Sequence, residues 1–319
     1  MKANAKFINT EKIEGYVYST GNSFNQLSVR VSGENSKNPG TKYIAGDLDV
    51  AVDEAGLNIV TIHYTYVPEN GKVNNTFTAL KKIIDNPDKT WINGGKDNAF
   101  KVKCSGVALE VNDFIAGDGS KVAALRNGNG FCSIVNELCD EDDRNTFTTD
   151  MLITKVVRIE ADPEKGIEND FVSIGGCIFG YGPVIIPASF VVRTEEGMNY
   201  FENLNISSAH PDFRKVWGKI NCLTVKTMKT EESAFGTPAV QTSSRKSREY
   251  LVTGAAKVPY DFGDEEVLTA ADVNKMSQAR QIMLAEIEKR YNERQSNKTN
   301  GISFESNSKA AVPEGGFVF

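Results

Sequence analysis

The sequence predicts a mainly β protein built from small barrels or sandwiches. Apolar and polar residues alternate in many short runs, and these runs are rich in β-branched and aromatic residues. Turn-forming residues separate the runs, and helical spacing is rare in the first two-thirds of the chain. The composition, with 40% hydrophobic and 24% charged residues, is that of a globular protein. Many short strands divided by turns favour barrels or sandwiches over βαβ units.

The strands are predicted in seven segments of the chain. They read QLSVRVSG, LNIVTIHYTYV, FKVKCSGVALEVNDFIAG, DMLITKVVRIEAD, FVSIGGCIFGYGPVIIPASFVVR, WGKINCLTVKTM and REYLVTGAAKV. The third segment is predicted to hold two runs that break near Gly106, and the stretch SSRKSREY is interpreted as a Ser-rich loop. One short helix is predicted in TFTALKKIIDNPDKTW, ending before Pro87.

The acidic, turn-rich stretch 136–150 is the best internal boundary. Its spacing does not match an EF-hand, so a solvated linker is favoured over a metal-binding loop. We therefore predict a β-barrel-like domain over residues 1–143 and a second one over 144–262, followed by a helix over 263–295 and a flexible tail over 296–319. We keep as a hypothesis that the two β domains arose by duplication of one domain.

A long amphipathic helix is predicted from about residue 270 to 293. Thr269 and Asp272 form a capping box, and apolar residues follow at near-helical spacing from Val273 to Tyr291. The apolar face is expected to pack on its own domain, or else to mediate self-association or contact another protein.

The residues that usually carry catalysis or bind metals are sparse. The two histidines, His63 and His210, are far apart in sequence, and no phosphate-binding loop, nucleophile elbow or zinc motif occurs. None of the five cysteines makes a C-x-x-C pair, which is typical of reduced thiols. We therefore expect no catalytic residues, no cofactor and no metal site, and predict that the protein is not an enzyme.

Charge and hydrophobicity restrict the possible binding partners and the cellular location. A net charge of −6 argues against a protein that coats duplex DNA. An acidic protein can still carry a local basic groove that binds nucleic acid. No apolar run is long enough to cross a membrane, and the first residues lack a secretion signal, so a cytoplasmic location is expected.

Aromatic residues at strand positions, with basic residues near them, are the most informative feature. Flat rings stack with any base, and cations follow the phosphate backbone. The predicted stacking residues are Tyr16, Tyr18, Tyr64, Tyr66 and Trp217. The predicted phosphate contacts are Arg30, Lys103, Arg214 and Lys215. The alternative is that these are ordinary cross-strand pairs of a β core.

The overall pattern resembles single-stranded DNA-binding proteins of the OB-fold type, in particular phage-encoded ones. The resemblance lies in β-rich barrels, one short helix between strands and a tail with an apolar tip. It also lies in the overall residue pattern of segments such as YIAGDLDVAVDEAGLNIV. It implies OB-like barrels, single-stranded DNA as partner in phage replication or recombination, and a host-cell cytoplasm. It also implies that the tip, with Phe317 and Phe319, recruits replication proteins, although the acidic residues of such tips are nearly missing here.

Two other functions are consistent with the sequence. A virion structural or assembly protein would use the many strands, the helix and the sticky tip to pack against neighbours. An enzyme would bind Mg²⁺ through carboxylates such as the cluster Asp140–Asp143. Single-stranded DNA binding is the first hypothesis.

Overall fold

The computed structural model describes residues 7–69, 74–162, 167–180, 184–231 and 239–300, with the backbone alone for 223–231, 239–247 and 297–300. In the first part of the chain it forms nine strands and two α-helices. They are β1 (Asn9–Ser19), β2 (Ser28–Val31), β3 (Lys42–Ala51), β4 (Ile59–Pro68), α1 (Asn75–Asp85), α2 (Trp91–Gly94), β5 (Lys101–Val111), β6 (Phe114–Ile115), β7 (Lys121–Val122), β8 (Leu125–Gly128) and β9 (Phe131–Val135).

Five of these strands close a barrel. The hydrogen-bonded order is β1-β3-β4-β8-β5 and back to β1, and only the β4–β8 pair is parallel within this ring. Helix α1 connects the third barrel strand, β4, to the fourth, β5. This arrangement is that of a five-stranded OB barrel.

A second ring of strands has the same order. It contains β10 (Asn145–Ile159), β11 (Phe171–Phe179), β12 (Ile185–Val192), α3 (Glu195–Glu202), β13 (Asp212–Glu231) and β14 (Ala239–Ala255). Its pairing runs β10-β11-β12-β14-β13 and back to β10, with β12 parallel to β14 at Val191 and Leu251. Helix α3 lies between the third and fourth strands, as α1 does. The two barrels thus share one topology, while the exact domain limits stay a prediction.

The predicted fold class, mainly β with OB-like small barrels, short helices and one long C-terminal helix, is confirmed. Two local predictions are wrong and one helix was missed. The chain does not break at Gly106, because β5 continues through it as a bulge at φ +64°. SSRKSREY belongs to strand β14, and helix α3 was not predicted. Its sequence EEGMNYFE is too short to show a clear helical period.

The barrels are joined rigidly. Strand β1 pairs with β10 from Asn9 opposite Thr149 to Ile13 opposite Asn145, so one sheet runs through both barrels. The amides of Asn58 and Asn145 both donate to the carbonyl oxygen of Ile220, at 3.3 Å and 2.7 Å. Buried residues of both barrels form one continuous apolar core. The relative orientation of the two OB surfaces is therefore fixed by backbone pairing.

Helix α4 (Ala270–Asn300) begins at the predicted capping box. The Thr269 N–H donates to Asp272 Oδ2 at 3.1 Å, and the Asp272 N–H donates to Thr269 Oγ1 at 3.2 Å. Met276 is buried, and Arg280 pairs with Asp113 of the first barrel. The helix thus packs on its own chain, which was the first of the alternatives. Helices in the described ranges are nowhere both long and apolar enough to span a membrane.

Candidate nucleic-acid interface

The outer face of β3 and β4 carries a pair of stacked tyrosines. The rings of Tyr43 and Tyr66 lie 4.7 Å apart between centroids at an angle of 35°, and Tyr66 is 42% exposed. In an OB barrel, the second and third strands form the face that binds oligonucleotides. β3 and β4 are those strands in the first barrel. Tyr66 was predicted from the sequence, whereas Tyr43 was missed because no second aromatic lies near it in its strand.

A β-bulge turns Tyr66 outward. Ile44 pairs with Val67 and Gly46 pairs with Tyr64, so two residues of β4, Thr65 and Tyr66, oppose the single residue Ala45 of β3. The extra residue changes the alternation of side chains along β4. Tyr64 therefore points inward and Tyr66 outward, although they are two residues apart.

Cations flank the tyrosine pair. Arg30 of β2 lies directly opposite Tyr43 and is exposed. Lys42 is exposed too, but it pairs with Val31, so alternation along β3 points it away from the Tyr43 side. The Arg30 Nε contacts Ser28 Oγ at 3.4 Å, and the described residues offer neither cation an ion-pair partner. Phe24, which is 92% exposed, lies in the preceding loop between β1 and β2. This end of the face thus combines aromatic rings with Arg30, and Lys42 adds a second exposed cation at the start of β3.

The middle of the same face is polar. The His63 Nδ1 lies 2.6 Å from Asp47 Oδ1. Asp49 accepts hydrogen bonds from the hydroxyls of Ser19 and Thr61, each at 2.5 Å. Both carboxylates are therefore held in place by hydrogen bonds from neighbours on the face.

Tyr64 does not belong to this interface. Its side chain is fully buried in the first barrel, where its hydroxyl lies 3.8 Å from Cys104 Sγ. Burial raises the pKa of Tyr64 well above its usual range. The prediction that it stacks with bases is wrong, because its ring has no access to solvent.

Tyr16 and Tyr18 contact a different part of the barrel. The Tyr16 ring meets Trp91 edge-on at 5.6 Å, and Tyr18 lies 6.2 Å from the same indole. The Tyr16 hydroxyl donates to Glu54 Oε2 at 3.2 Å, and its ring is only 8% exposed. Hydrogen bonds from Lys96 and then Arg144 lower the pKa of Glu54 to about 2. The structure therefore places both tyrosines in a local aromatic cluster that is separate from the Tyr43–Tyr66 pair.

Lys103, Lys215 and Trp217 share the opposite side of the molecule, which we call the back face. It is the outer face of the continuous sheet β13-β10-β1-β5-β9. The register aligns Lys219, Thr146, Lys12, Ser105 and Phe131 in one row across these five strands. Trp217 lies in the next row at 40% exposure, and Lys103 is exposed. These three predicted residues are thus on one surface, but not on the surface of Tyr66 and Arg30.

Arg214 is buried and already paired, so its predicted phosphate contact is wrong. Its side chain is 2% exposed and forms a bidentate ion pair with Asp212. It also donates to the Tyr200 hydroxyl and, at 3.1 Å, to the carbonyl oxygen of Ala256. Helix α3 supplies Tyr200 as the cover, and this helix was not predicted from the sequence.

A cleft of about 400 Å³ lies between the barrels. Thr61 and Leu125 of the first barrel and Ser189, Arg248 and Tyr250 of the second line it. The Arg248 Nη1 donates to the carbonyl oxygen of Leu125 at 2.9 Å. Because Thr61 is on the face that carries Tyr66, the cleft continues that face toward the second barrel. Beyond the cleft, β13 and β14 extend as a ribbon that stays paired as far as Glu231 and Ala239.

Three further predictions concern the C-terminal tip, the acidic loop and metal binding. Phe317 and Phe319 lie outside the described residues. Asp142 of the acidic loop forms an ion pair with Lys219 of the back face at 2.5 Å. Within the described ranges, no group of three or more His, Cys, Asp or Glu side chains is arranged to hold a metal ion.

Fold and surface define a class: a protein of two fused OB-like barrels with a C-terminal helix and an aromatic, basic face on the first barrel. The chain belongs to the YorF family, whose model matches residues 23–290. A comparison with curated proteins finds no match. Among solved structures, the chain is similar to a deletion mutant of the single-stranded DNA-binding protein from Thermus aquaticus, with 11% identity and a TM-score of 0.45. The similarity covers 82% of this chain and 98% of that one.

Proposed function

We propose that this protein binds single-stranded DNA without catalysing a reaction, in phage-type replication or recombination. The observation that carries the proposal is the exposed Tyr43–Tyr66 pair on the ligand-binding strands of an OB barrel, with Arg30 opposite Tyr43 and Lys42 exposed at the start of β3. Stacking contributes about 1–3 kcal/mol per base, and it tolerates any sequence because every base has a flat face.

The geometry suggests a path for the strand. One end lies on the tyrosine pair, where cations meet the phosphates. From Tyr66 the path follows β4 past His63 to Thr61, five residues or roughly 17 Å at 3.3 Å per residue. It then reaches the cleft between the barrels, where Arg248 is placed to meet a phosphate. A single strand fits this path better than a duplex does, because stacking on tyrosine needs unpaired bases.

The back face carries a second set of residues that were predicted to contact DNA. Lys103, Lys215 and Trp217 lie there with Lys12 and Lys219. We assign the first role to the outer face of β3 and β4, since two stacked rings and the exposed Arg30 occur there together. Recruitment of replication proteins by Phe317 and Phe319 stays part of the proposal.

Fluorescence anisotropy of a labelled oligo-dT tests the proposal. The protein should bind at low salt and lose affinity as salt rises, because phosphate contacts release counterions. A duplex of matched length tests the preference for single over double strands, and a matched RNA tests the preference for DNA over RNA. No binding at low salt would overturn the proposal, and a large regular particle formed without DNA would favour the virion hypothesis.

A further inference from the structure

A small pocket lies where both barrels and helix α4 meet. Its walls come from the end of β5 and the following loop, from β8, from the residue before β12 and from α4, and its volume is about 240 Å³. It is lined by Val111, Asn112, Asp113, Arg126, Val184, Arg280, Met283 and Ile287. The apolar members of this set provide walls for a flat ring.

Helix α4 holds the pocket in shape. Arg280 pairs with Asp113 Oδ2 at 2.8 Å, and the two side chains are 12% and 8% exposed. Further along the helix, Glu288 pairs with Lys121 at 2.8 Å. These two ion pairs hold α4, which forms one wall of the pocket, against the loop after β5. In OB barrels this loop, between the fourth and fifth strands, is one that contacts nucleic acid.

Two polar atoms of the pocket residues make no hydrogen bond, although one of them, Arg126 Nε, has a long ion-pair contact with Glu110. Asp113 Oδ1 and Arg126 Nε are buried and have no hydrogen-bond partner among the described residues. Arg126 is held by weaker contacts, with Nε 3.5 Å from Glu110 Oε2 and Nη1 3.4 Å from Asn112 Oδ1. A buried donor or acceptor without a partner is costly, so the pair of atoms marks a place for a ligand that offers both a donor and an acceptor.

The local charges select a neutral ligand. Asp113 offsets Arg280, and Glu110 offsets Arg126. A phosphate would therefore face two carboxylates, and a metal ion would face two guanidinium groups. A neutral heterocycle with polar edge atoms avoids both penalties.

We propose that this pocket takes one base of the bound strand, and that it prefers cytosine to thymine. Asp113 Oδ1 would accept from the exocyclic amine of cytosine, the base group that carboxylates bind, and Arg126 Nε would donate to the adjacent ring nitrogen. The donor of thymine is flanked by carbonyl oxygens on both sides, and one of these would face the carboxylate. This inference rests on the proposed function, because it specifies a base of the same strand.

Binding of oligo-dC and oligo-dT of about 30 nucleotides, enough to span two OB barrels, tests the proposal. The wild-type protein should prefer oligo-dC by about 3- to 10-fold, the range expected for one net hydrogen bond. Val184→Trp, which fills the pocket, should bring the ratio to about one and leave the affinity for oligo-dT unchanged. Val258→Trp is the control, since Val258 is 76% exposed and does not line the pocket.

A second measurement reads the pocket without a strand. Deoxycytidine at millimolar concentration should shift the NMR signal of the Met283 methyl group, thymidine should shift it less, and Asp113→Asn should abolish the difference. Equal affinities for both oligonucleotides, or a dC preference that survives Val184→Trp, would overturn the inference while leaving the proposed function in place. Failure to bind any oligonucleotide would overturn the proposed function, and the nucleoside measurement would then decide on the pocket alone.

Discussion

The ring of Tyr66 stacks on the ring of Tyr43 from the neighbouring strand, with the centroids 4.7 Å apart. The pair lies on the two strands that form the ligand face of an OB barrel, and it stays open to solvent through Tyr66. An ordinary cross-strand pair contributes to folding alone. A stacking platform contributes to binding as well, so the two roles are separable by mutation.

Tyr66→Ala should weaken binding of oligo-dT by about 5- to 100-fold, the equivalent of losing one stacked base. The melting temperature should change little, because the ring is partly exposed. The control is Phe131→Ala, which removes a ring that is 74% exposed on the back face of the same barrel. Equal losses in both variants, measured by anisotropy, would argue against a specific role of the tyrosine pair.

Arg30 and Lys42 should set part of the salt dependence. If each neutralises one phosphate of a single strand, replacing one of them by Gln should reduce the slope of log K against log salt by about 0.7. Affinity should fall equally for different sequences, since phosphate contacts carry no base information. Lys37→Gln serves as control, because Lys37 is exposed in the loop before β3. An unchanged slope in both interface variants would exclude phosphate contacts at this end of the face.

The difference between Tyr64 and Tyr66 shows where the sequence is informative and where it is not. Strand patterns and turn residues predict the β class, and the capping box at Thr269 predicts the start of α4. Period-two alternation also predicts that both tyrosines share a face, which is wrong because of the bulge at Thr65 and Tyr66. A bulge depends on how two strands pair, and pairing is not visible in one strand.

Arg214 and the pocket on α4 show that contacts between residues far apart in sequence are not predictable from local patterns either. Arg214 is covered by Tyr200 of α3, and Asp113 meets Arg280 across 167 residues of sequence. Neither partner could be assigned without the fold. Lys215 and Trp217, in contrast, are on one face as their spacing predicts, because that part of β13 pairs regularly with β10.

Arg214→Ala should destabilise the second barrel. Removing the guanidinium leaves Asp212 without its buried partner, and breaking a buried pair costs about 3–5 kcal/mol. Urea unfolding should show this loss, whereas Lys215→Ala should remain within about 0.5 kcal/mol of the wild-type protein. If Arg214→Ala keeps full stability and loses affinity for DNA, the buried position of Arg214 is not its functional state.

Glu11 should make stability depend on pH. It is 3% exposed near the junction of the barrels, and burial raises its pKa from 4.5 to about 8, although Arg248 opposes the shift. Since the folded state keeps the proton and the unfolded state releases it above pH 4.5, the contribution of Glu11 is favourable at low pH. It is lost by roughly 1.4 kcal/mol per pH unit as the pH rises toward 8.

Glu11→Gln should therefore be more stable than the wild-type protein at pH 8 and similar to it at pH 4. Thermal unfolding across this range measures the difference, and Glu34→Gln, at an exposed site, should leave the pH profile unchanged. A constant difference between Glu11→Gln and the wild-type protein at all pH values would show that Glu11 does not hold a proton in the folded state.

Gly254 determines where the Trp217 ring lies. A Cβ atom at Gly254 would come within 2.5 Å of the indole Nε1 and 2.6 Å of Cε2, so Gly254→Ala must push the ring away from β14. The displaced indole should be more exposed, and the tryptophan emission should shift to longer wavelength. Gly33→Ala is the matched control, because nothing lies within 4 Å of a Cβ atom at that position. If Trp217 contacts the strand, oligo-dT should also quench the emission of Gly254→Ala less than that of the wild-type protein. Unchanged emission in Gly254→Ala would mean that the indole does not rest on β14.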